Sequence, residues 1–185
     1  MKRVHAKKRI EASHIVAVAD THGNPHPSLG ARLDETKPEH ILHAGDVGDR
    51  SVLRFLEKWA PVTAVRGNID GRARDLPDMV TIDVGVASGG GELARILLVH
   101  IAVYGPKLRA DVARIAKAED ASLVVCGHSH VPFATMDRGI GVFNPGSVGP
   151  RRFRLPICFG IVEVLPTGVT VRHIDCETGL PWKPA

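Results

Sequence analysis

The chain has 185 residues, enough for one domain with a sizeable core, and its 44% hydrophobic and 24% charged residues are ordinary for a globular fold. No apolar run approaches the ~20 residues that cross a bilayer, and the N-terminus lacks the apolar stretch of a secretory leader. The formal net charge is +4, and Cys126, Cys158 and Cys176 form no close pair, so no membrane partner and no disulfide framework are expected, and a reducing cytoplasm fits best.

Residues 1–13 are polar and hold Lys2, Arg3, Lys7, Lys8 and Arg9, much of the excess positive charge. Such a run can serve nucleic acid or another anionic surface. No aromatic side chains are interleaved for base stacking, so a flexible, solvated tail is the expectation. His14 to Asp20 reads as a first strand, apolar throughout as if both faces were covered. A loop through Gly23, Pro25 and Pro27 follows, and Ser28 is placed to cap a short helix to about Glu35, ended by Pro38.

His40 to Gly45 is the second strand. Asp49 can cap a helix over Ser51 to Trp59, where Val52, Phe55, Leu56 and Trp59 share a face, and Val62 to Arg66 is the third strand. A polar loop from Asn68 to Pro77 includes Arg72, Arg74 and Asp75. Met79 to Val84 and Leu93 to Val99 read as an antiparallel pair around the Ser88-Gly89-Gly90-Gly91 turn. A helix from about Leu108 to Ala118 precedes the buried strand Leu123 to Cys126. Short strands follow at Phe133 to Met136, Gly141 to Phe143, Cys158 to Val164 and Val169 to Ile174. Residues 14–175 therefore form one expected domain, and 176–185 a Gly/Pro-rich tail. Strands alternating with helices, then a run of strands, imply a mixed central sheet or two packed sheets with helices outside.

The chemistry gathers at strand ends. Asp20 and His22 follow the first strand, Asp46 the second and Asn68 the third; His100 follows Val99, and His128 with His130 follow Gly127. Singly, each has an ordinary use: Asp20 in a turn, Asn68 in an Asx-turn, His100 or His128 as a hydrogen-bonded interior histidine. Seven potential ligands at the carboxyl ends of five strands, where open α/β sheets bind ligands, point instead to a two-metal hydrolase. The donors are nitrogen and oxygen without thiolate, which suits Mn2+, Zn2+, Fe2+ or Ni2+. His43 lies inside a strand and is expected as an interior residue. His5, His26, His40 and His173 have no motif around them.

Taken together, Asp20-Thr21-His22-Gly23, Gly45-Asp46, Gly67-Asn68-Ile69-Asp70, His100, Gly127-His128-Ser129-His130 and Asn144-Pro145-Gly146-Ser147 resemble the calcineurin-like metallophosphoesterases, in their small single-domain bacterial and archaeal phosphodiesterase branch. The resemblance implies a four-layer αββα sandwich, two facing mixed sheets flanked by helices. It implies one divalent ion held by Asp20, His22, Asp46 and His130, and a second by Asp46, Asn68, His100 and His128, with Asp46 bridging and Mn2+ first among the candidate metals. Asp46, Asn68 and His100 are then the expected catalytic residues, a small phosphodiester the expected substrate, and a metal-activated water the nucleophile. Nucleic acid is a weaker partner expectation, and a homo-oligomer is left open. The same fold also resembles a retromer subunit, so a protein-interaction scaffold is the alternative, set against here by the filled ligand positions.

Two positions depart from the family pattern. Ile69 stands where many superfamily members have a histidine able to protonate the leaving group. Ile101 follows His100 where glycine is usual, and its β-branch narrows the backbone. Asn144-Pro145-Gly146-Ser147 is expected to support the metal histidines. Arg151 and Arg152 are either a phosphate grip or a solvated loop, and Asp70 is open between orienting Arg66 and orienting a ligand.

Overall fold

A computed structural model describes residues 4–71, 73–85 and 92–183; Lys2, Arg3, Arg72 and the expected 88–91 turn lie outside them. Period-two alternation decides the layers. In the strand β2 (His14–Val18) and just beyond it, Ile15, Ala17 and Ala19 enter one apolar cluster, while Val16 and Val18 enter another. The same division splits β6 (Glu92–Val99): Ile96 and Leu98 join the first cluster, Leu97 and Val99 a third. Strands apolar on both faces must be covered twice.

Among the described residues the coverage comes from two facing sheets and three helices. One sheet has the order β14 (Pro181–Trp182), β13 (Gly168–Asp175), β12 (Cys158–Leu165), β2, β3 (His40–His43), β4 (Val62–Ala64). The other runs β1 (His5–Glu11), β5 (Met79–Gly85), β6, β9 (Leu123–Val125), β11 (Ile140–Asn144), β10 (Phe133–Asp137). Both mix parallel and antiparallel pairs. The central cluster lies between them, with Ile15, Leu42 and Val162 from one sheet and Ile82, Ile96, Val125 and Phe143 from the other. Outside, α1 (Leu29–Thr36) and α2 (Ser51–Leu56) lay Leu29, Leu33, Val52 and Leu56 against Val16, Val18 and Ile41. On the opposite side α3 (Ala110–Ala118) lays Val112, Ala113 and Ala116 against Leu97 and Val124. This is the four-layer αββα sandwich. None of the described helices is long and apolar enough to cross a membrane.

Four local expectations need correction. Residues 5–11 are not a flexible tail: β1 pairs in parallel with β5 along its whole length, from His5 opposite Met79 to Glu11 opposite Gly85. Its side chains are mostly polar and exposed because it is an edge strand, where charge blunts further pairing. At the other terminus β14 continues the sheet by pairing with β13, so the expected C-terminal tail is ordered through Trp182. Ser28 makes no capping hydrogen bond to α1. Asp49 does hold the start of α2, accepting from the Ser51 N–H at 2.7 Å, but the helix stops at Leu56, three residues before Trp59.

Topology aligns the strand ends. β2, β3 and β4 are neighbours and parallel, so residues 19–23, 44–49 and 65–70 emerge on one edge. β6, β9 and β11 are likewise parallel neighbours, and their following loops carry His100, His128, His130 and Asn144-Pro145-Gly146-Ser147.

Candidate metal centre

The loops at this edge are stitched to each other before any side chain is considered. Asp20 N–H donates to Gly45 C=O at 3.0 Å, His22 N–H to Asp46 C=O at 3.0 Å, and Gly127 N–H to His100 C=O at 3.0 Å. Close approach requires the glycines. A Cβ on Gly67 would stand 2.1 Å from Asp46 N and 2.2 Å from its Oδ1, so only glycine lets these two loops touch.

The backbone is strained where the candidate ligands sit. Among the described residues, Asp20 (φ 55°), His22 (49°), Asp46 (53°), His128 (73°) and His130 (58°) are all left-handed. Such φ values cost energy in non-glycine residues and persist only where the surroundings enforce them. Here the enforced conformation turns five donor side chains toward a common space.

Asp46 lies at the middle of that space. Its Oδ2 is 3.7 Å from His22 Nε2 and its Oδ1 is 3.3 Å from His100 Nε2, so one oxygen faces each side. Asp20, His22 and His130 offer donor atoms within 4.8 Å of one another, as do Asp20, Asp46 and His100. His22 Nε2 and His130 Nε2 are 3.2 Å apart. Two nitrogens on one ion, each about 2.0–2.1 Å from it, would be separated by about 3 Å. His128 and Asn68 border this group. The His128 ring is edge-on to His100 with centroids 5.3 Å apart, and the His128 backbone N–H donates to the Asp20 carboxylate. Asn68 is exposed and shares a small cavity of about 170 Å³ with His100. All seven expected residues therefore reach one edge, and five of them fall into two close groups of three that share Asp20.

The donor set fits a cation. His100 Nδ1–H donates to Ala44 C=O at 2.7 Å, leaving the Nε2 lone pair aimed at Asp46. That Nε2 is buried and unpartnered. Orphaned buried polar atoms are costly and call for a partner. Ile101 does not turn His100 away.

Charge follows the same geometry. Burial pushes the Asp20 carboxyl up to about 7; Asp46 adds to this, while His100, the His128 N–H and Arg152 oppose it. Burial also acts to raise Asp46, but the approach of His100, the Ile69 N–H at 3.1 Å and His22 outweigh it and hold Asp46 well below the usual carboxylate range. Burial lowers His22 and His128, and brings His130 to about 4, so these three imidazoles are neutral, the form that binds a metal. For His100 burial works downward, and Asp46 and Asp20 reverse it.

A surrounding shell holds these groups. Asp70 orients the ligand loops and not Arg66. Its Oδ2 accepts from Val47 N–H (3.0 Å) and Gly67 N–H (2.8 Å), its Oδ1 from Gly48 N–H (2.9 Å), while Arg66 pairs with Asp78. The sequence signal for it was a carboxylate closing a turn three residues after Gly67. His43 is the expected interior residue, but it is also a strut. Its Nδ1 accepts from Gly45 N–H, so Nε2–H donates to Thr21 Oγ1 at 2.9 Å, and that hydroxyl donates to Val47 C=O. Asn144 Nδ2 donates to Gly127 C=O at 2.8 Å and to Ser129 Oγ, and Ser147 Oγ donates to Asp20 C=O. Of the two arginines, Arg151 is engaged by Glu177 and Leu155 C=O, whereas the Arg152 guanidinium reaches to 3.3 Å from His22 Nε2.

Two facing sheets with a carboxylate–imidazole cluster at one edge are the frame of a metallophosphoesterase. The calcineurin-like phosphoesterase superfamily domain matches residues 14–166, and the chain belongs to that family. A probable metallophosphoesterase of Methanothermobacter thermautotrophicus is 31% identical over 147 residues, 77% of this chain and 78% of its own. One from Methanocaldococcus jannaschii is 31% identical over 110 residues, 58% of this chain but only 52% of its own length. The phosphodiesterase YfcE of Escherichia coli is 27% identical over 126 residues, 68% of this chain and 65% of its own. Among solved structures, vacuolar protein sorting 29 of Cryptosporidium parvum superposes with a TM-score of 0.72 at 16% identity, covering 94% of this chain and 96% of its own, a likeness of fold.

Proposed function

We propose that this chain is a dinuclear-metal-dependent phosphodiesterase. The observation that carries the proposal is Asp46, with one carboxylate oxygen toward His22 and the other toward His100. Asp20, His22, Asp46 and His130 would hold one divalent ion, and Asp46, Asn68, His100 and His128 the other, Mn2+ being the first choice. When bound, such a pair polarises a phosphoryl oxygen and ionises water at neutral pH.

The chain's own residues do the rest. Arg152, exposed and beside His22, can turn its guanidinium onto a non-bridging phosphate oxygen. Asp70 and His43 keep the Asp46 and Asp20 loops in register, which limits the rearrangement those two donors need when a cation enters. Ile69 donates only its N–H, to Asp46, and its side chain has no proton for a departing oxygen. The YfcE relative supports phosphodiesters as the ester class. The buried free thiols of Cys126, Cys158 and Cys176 favour the cytoplasm as compartment.

The test loads purified protein with Mn2+, counts ions by elemental analysis and assays bis-p-nitrophenyl phosphate. About two ions per chain and metal-dependent release of p-nitrophenolate are expected. A stoichiometry near zero after loading would sink the proposal and return weight to the scaffold alternative.

A further inference from the structure

A cavity of about 440 Å³ opens directly beside the candidate centre. Its walls include Ile101, Val103, Pro106, His128, Val131 and Phe133. The roof is a hairpin not expected from the sequence, β7 (Val103–Tyr104) and β8 (Lys107–Leu108) joined through Gly105-Pro106. The cavity and the centre share His128, whose ring is edge-on to His100, and Ile101 is the next residue after His100. A phosphorus atom at the centre would therefore place one of its ester groups at the mouth of this cavity.

The lining carries no Lys, Arg, Asp or Glu. Its polar side chains are His128 and the hydroxyls of Ser129 and Thr135. Val131 is left 42% exposed, an apolar surface that an apolar guest would cover. A second phosphate would find no cation here. A nucleobase would bury edge donors and acceptors against walls that pair few of them, which is costly. A cavity of this volume is in the range that encloses small organic ligands.

We propose that this cavity is the subsite for one ester group of the substrate, and that the group is uncharged and largely apolar, such as an aryl ring. The inference rests on the phosphodiesterase reading and narrows it to diesters with an aryl or similarly apolar arm, as distinct from nucleotides.

The experiment is calorimetric titration of Mn2+-loaded protein with phenyl phosphate, methyl phosphate and adenosine 5′-monophosphate. Burying most of a ring should make phenyl phosphate bind at least about tenfold tighter than methyl phosphate. Thr135→Trp, at an exposed position on the face of β10 that carries Phe133, should fill the cavity and bring that ratio toward one. Equal affinities in the parent protein, or a ratio untouched by the tryptophan, overturn the subsite and leave the metal centre standing. Tighter binding of adenosine 5′-monophosphate than of phenyl phosphate overturns the apolar class. A dimer broken by Thr135→Trp would assign the cavity to a second copy of the chain. No metal-dependent binding of either simple phosphate overturns the proposed function itself, and the subsite with it.

Discussion

Asp70→Ala should destabilise the fold and loosen the candidate centre together, although Asp70 touches none of the seven donor side chains. The buried carboxylate accepts three backbone N–H bonds of 2.8–3.0 Å from Val47, Gly48 and Gly67. Hydrogen bonds to a charged group contribute about 1.5–3 kcal/mol each. Gly48 is exposed, so its N–H can turn to water, and the main cost falls on buried Val47 and half-buried Gly67. We expect a loss of about 3 kcal/mol, equivalent to a melting temperature lower by about 6–12 °C for a chain of this size. Asp70→Asn should be intermediate, because one oxygen remains while the new amide confronts at least one N–H. Asp75→Asn, at a highly exposed ion pair with Arg50, serves as the control and should cost under about 0.5 kcal/mol. Urea unfolding in chelator measures the stability. Repeating the melts with Mn2+ measures the metal-dependent gain, which should shrink in Asp70→Ala because the loops carrying Asp46 and Asn68 have lost their tie. If Asp70→Ala unfolds within about 1 kcal/mol of the parent, the three hydrogen bonds do not hold these loops and the reasoning fails.

Three further outcomes are expected. Asp46→Asn should lower the hydrolysis rate more than His22→Ala, by an extra factor on the order of ten, because Asp46 faces both halves of the site and its charge would separate the two dications of the proposed centre; near-parent rates for Asp46→Asn would remove it as the bridge. Burial, with Lys8 nearby, brings His40 down to about 4 from 6.5. A depressed folded pKa means its stabilising effect is complete above pH 6.5 and is lost as pH falls toward 4, by up to about 3 kcal/mol, so His40→Gln should flatten the pH dependence of urea unfolding between pH 6.5 and 4; identical slopes would rule His40 out as the source. Finally, with Ile69 supplying no proton, log rate for aryl phosphodiesters should fall steeply with leaving-group pKa, and Ile69→His should help poor leaving groups most; a flat plot for the parent would reveal another acid, since a well-placed one contributes ~10²–10⁴-fold.

What the sequence determined by itself was local and periodic. An apolar strand that ends in Asp, Asn or His is written in consecutive residues, so seven candidate donors could be named, and the core strands and the three described helices were legible to within a few residues. Alternation told that β2 and β6 are covered on both faces, but not what covers them. Partners distant in sequence were beyond its reach. β1 is a polar run whose order comes from β5, some 74 residues on, where His5 meets Met79. Arg151 and Arg152 are identical in type and adjacent, and only the packed loop sends one to Glu177 and the other to His22. Asp70 could equally have served Arg66 until the fold brought Val47 and Gly48 within 3.0 Å of its oxygens. The cavity beside His128 is assembled from a short hairpin and an edge strand with weak patterns of their own. Strand-end chemistry survives in the linear sequence because it depends on where a strand stops, while hydrogen-bond partners and cavities depend on which strand ends the topology makes neighbours.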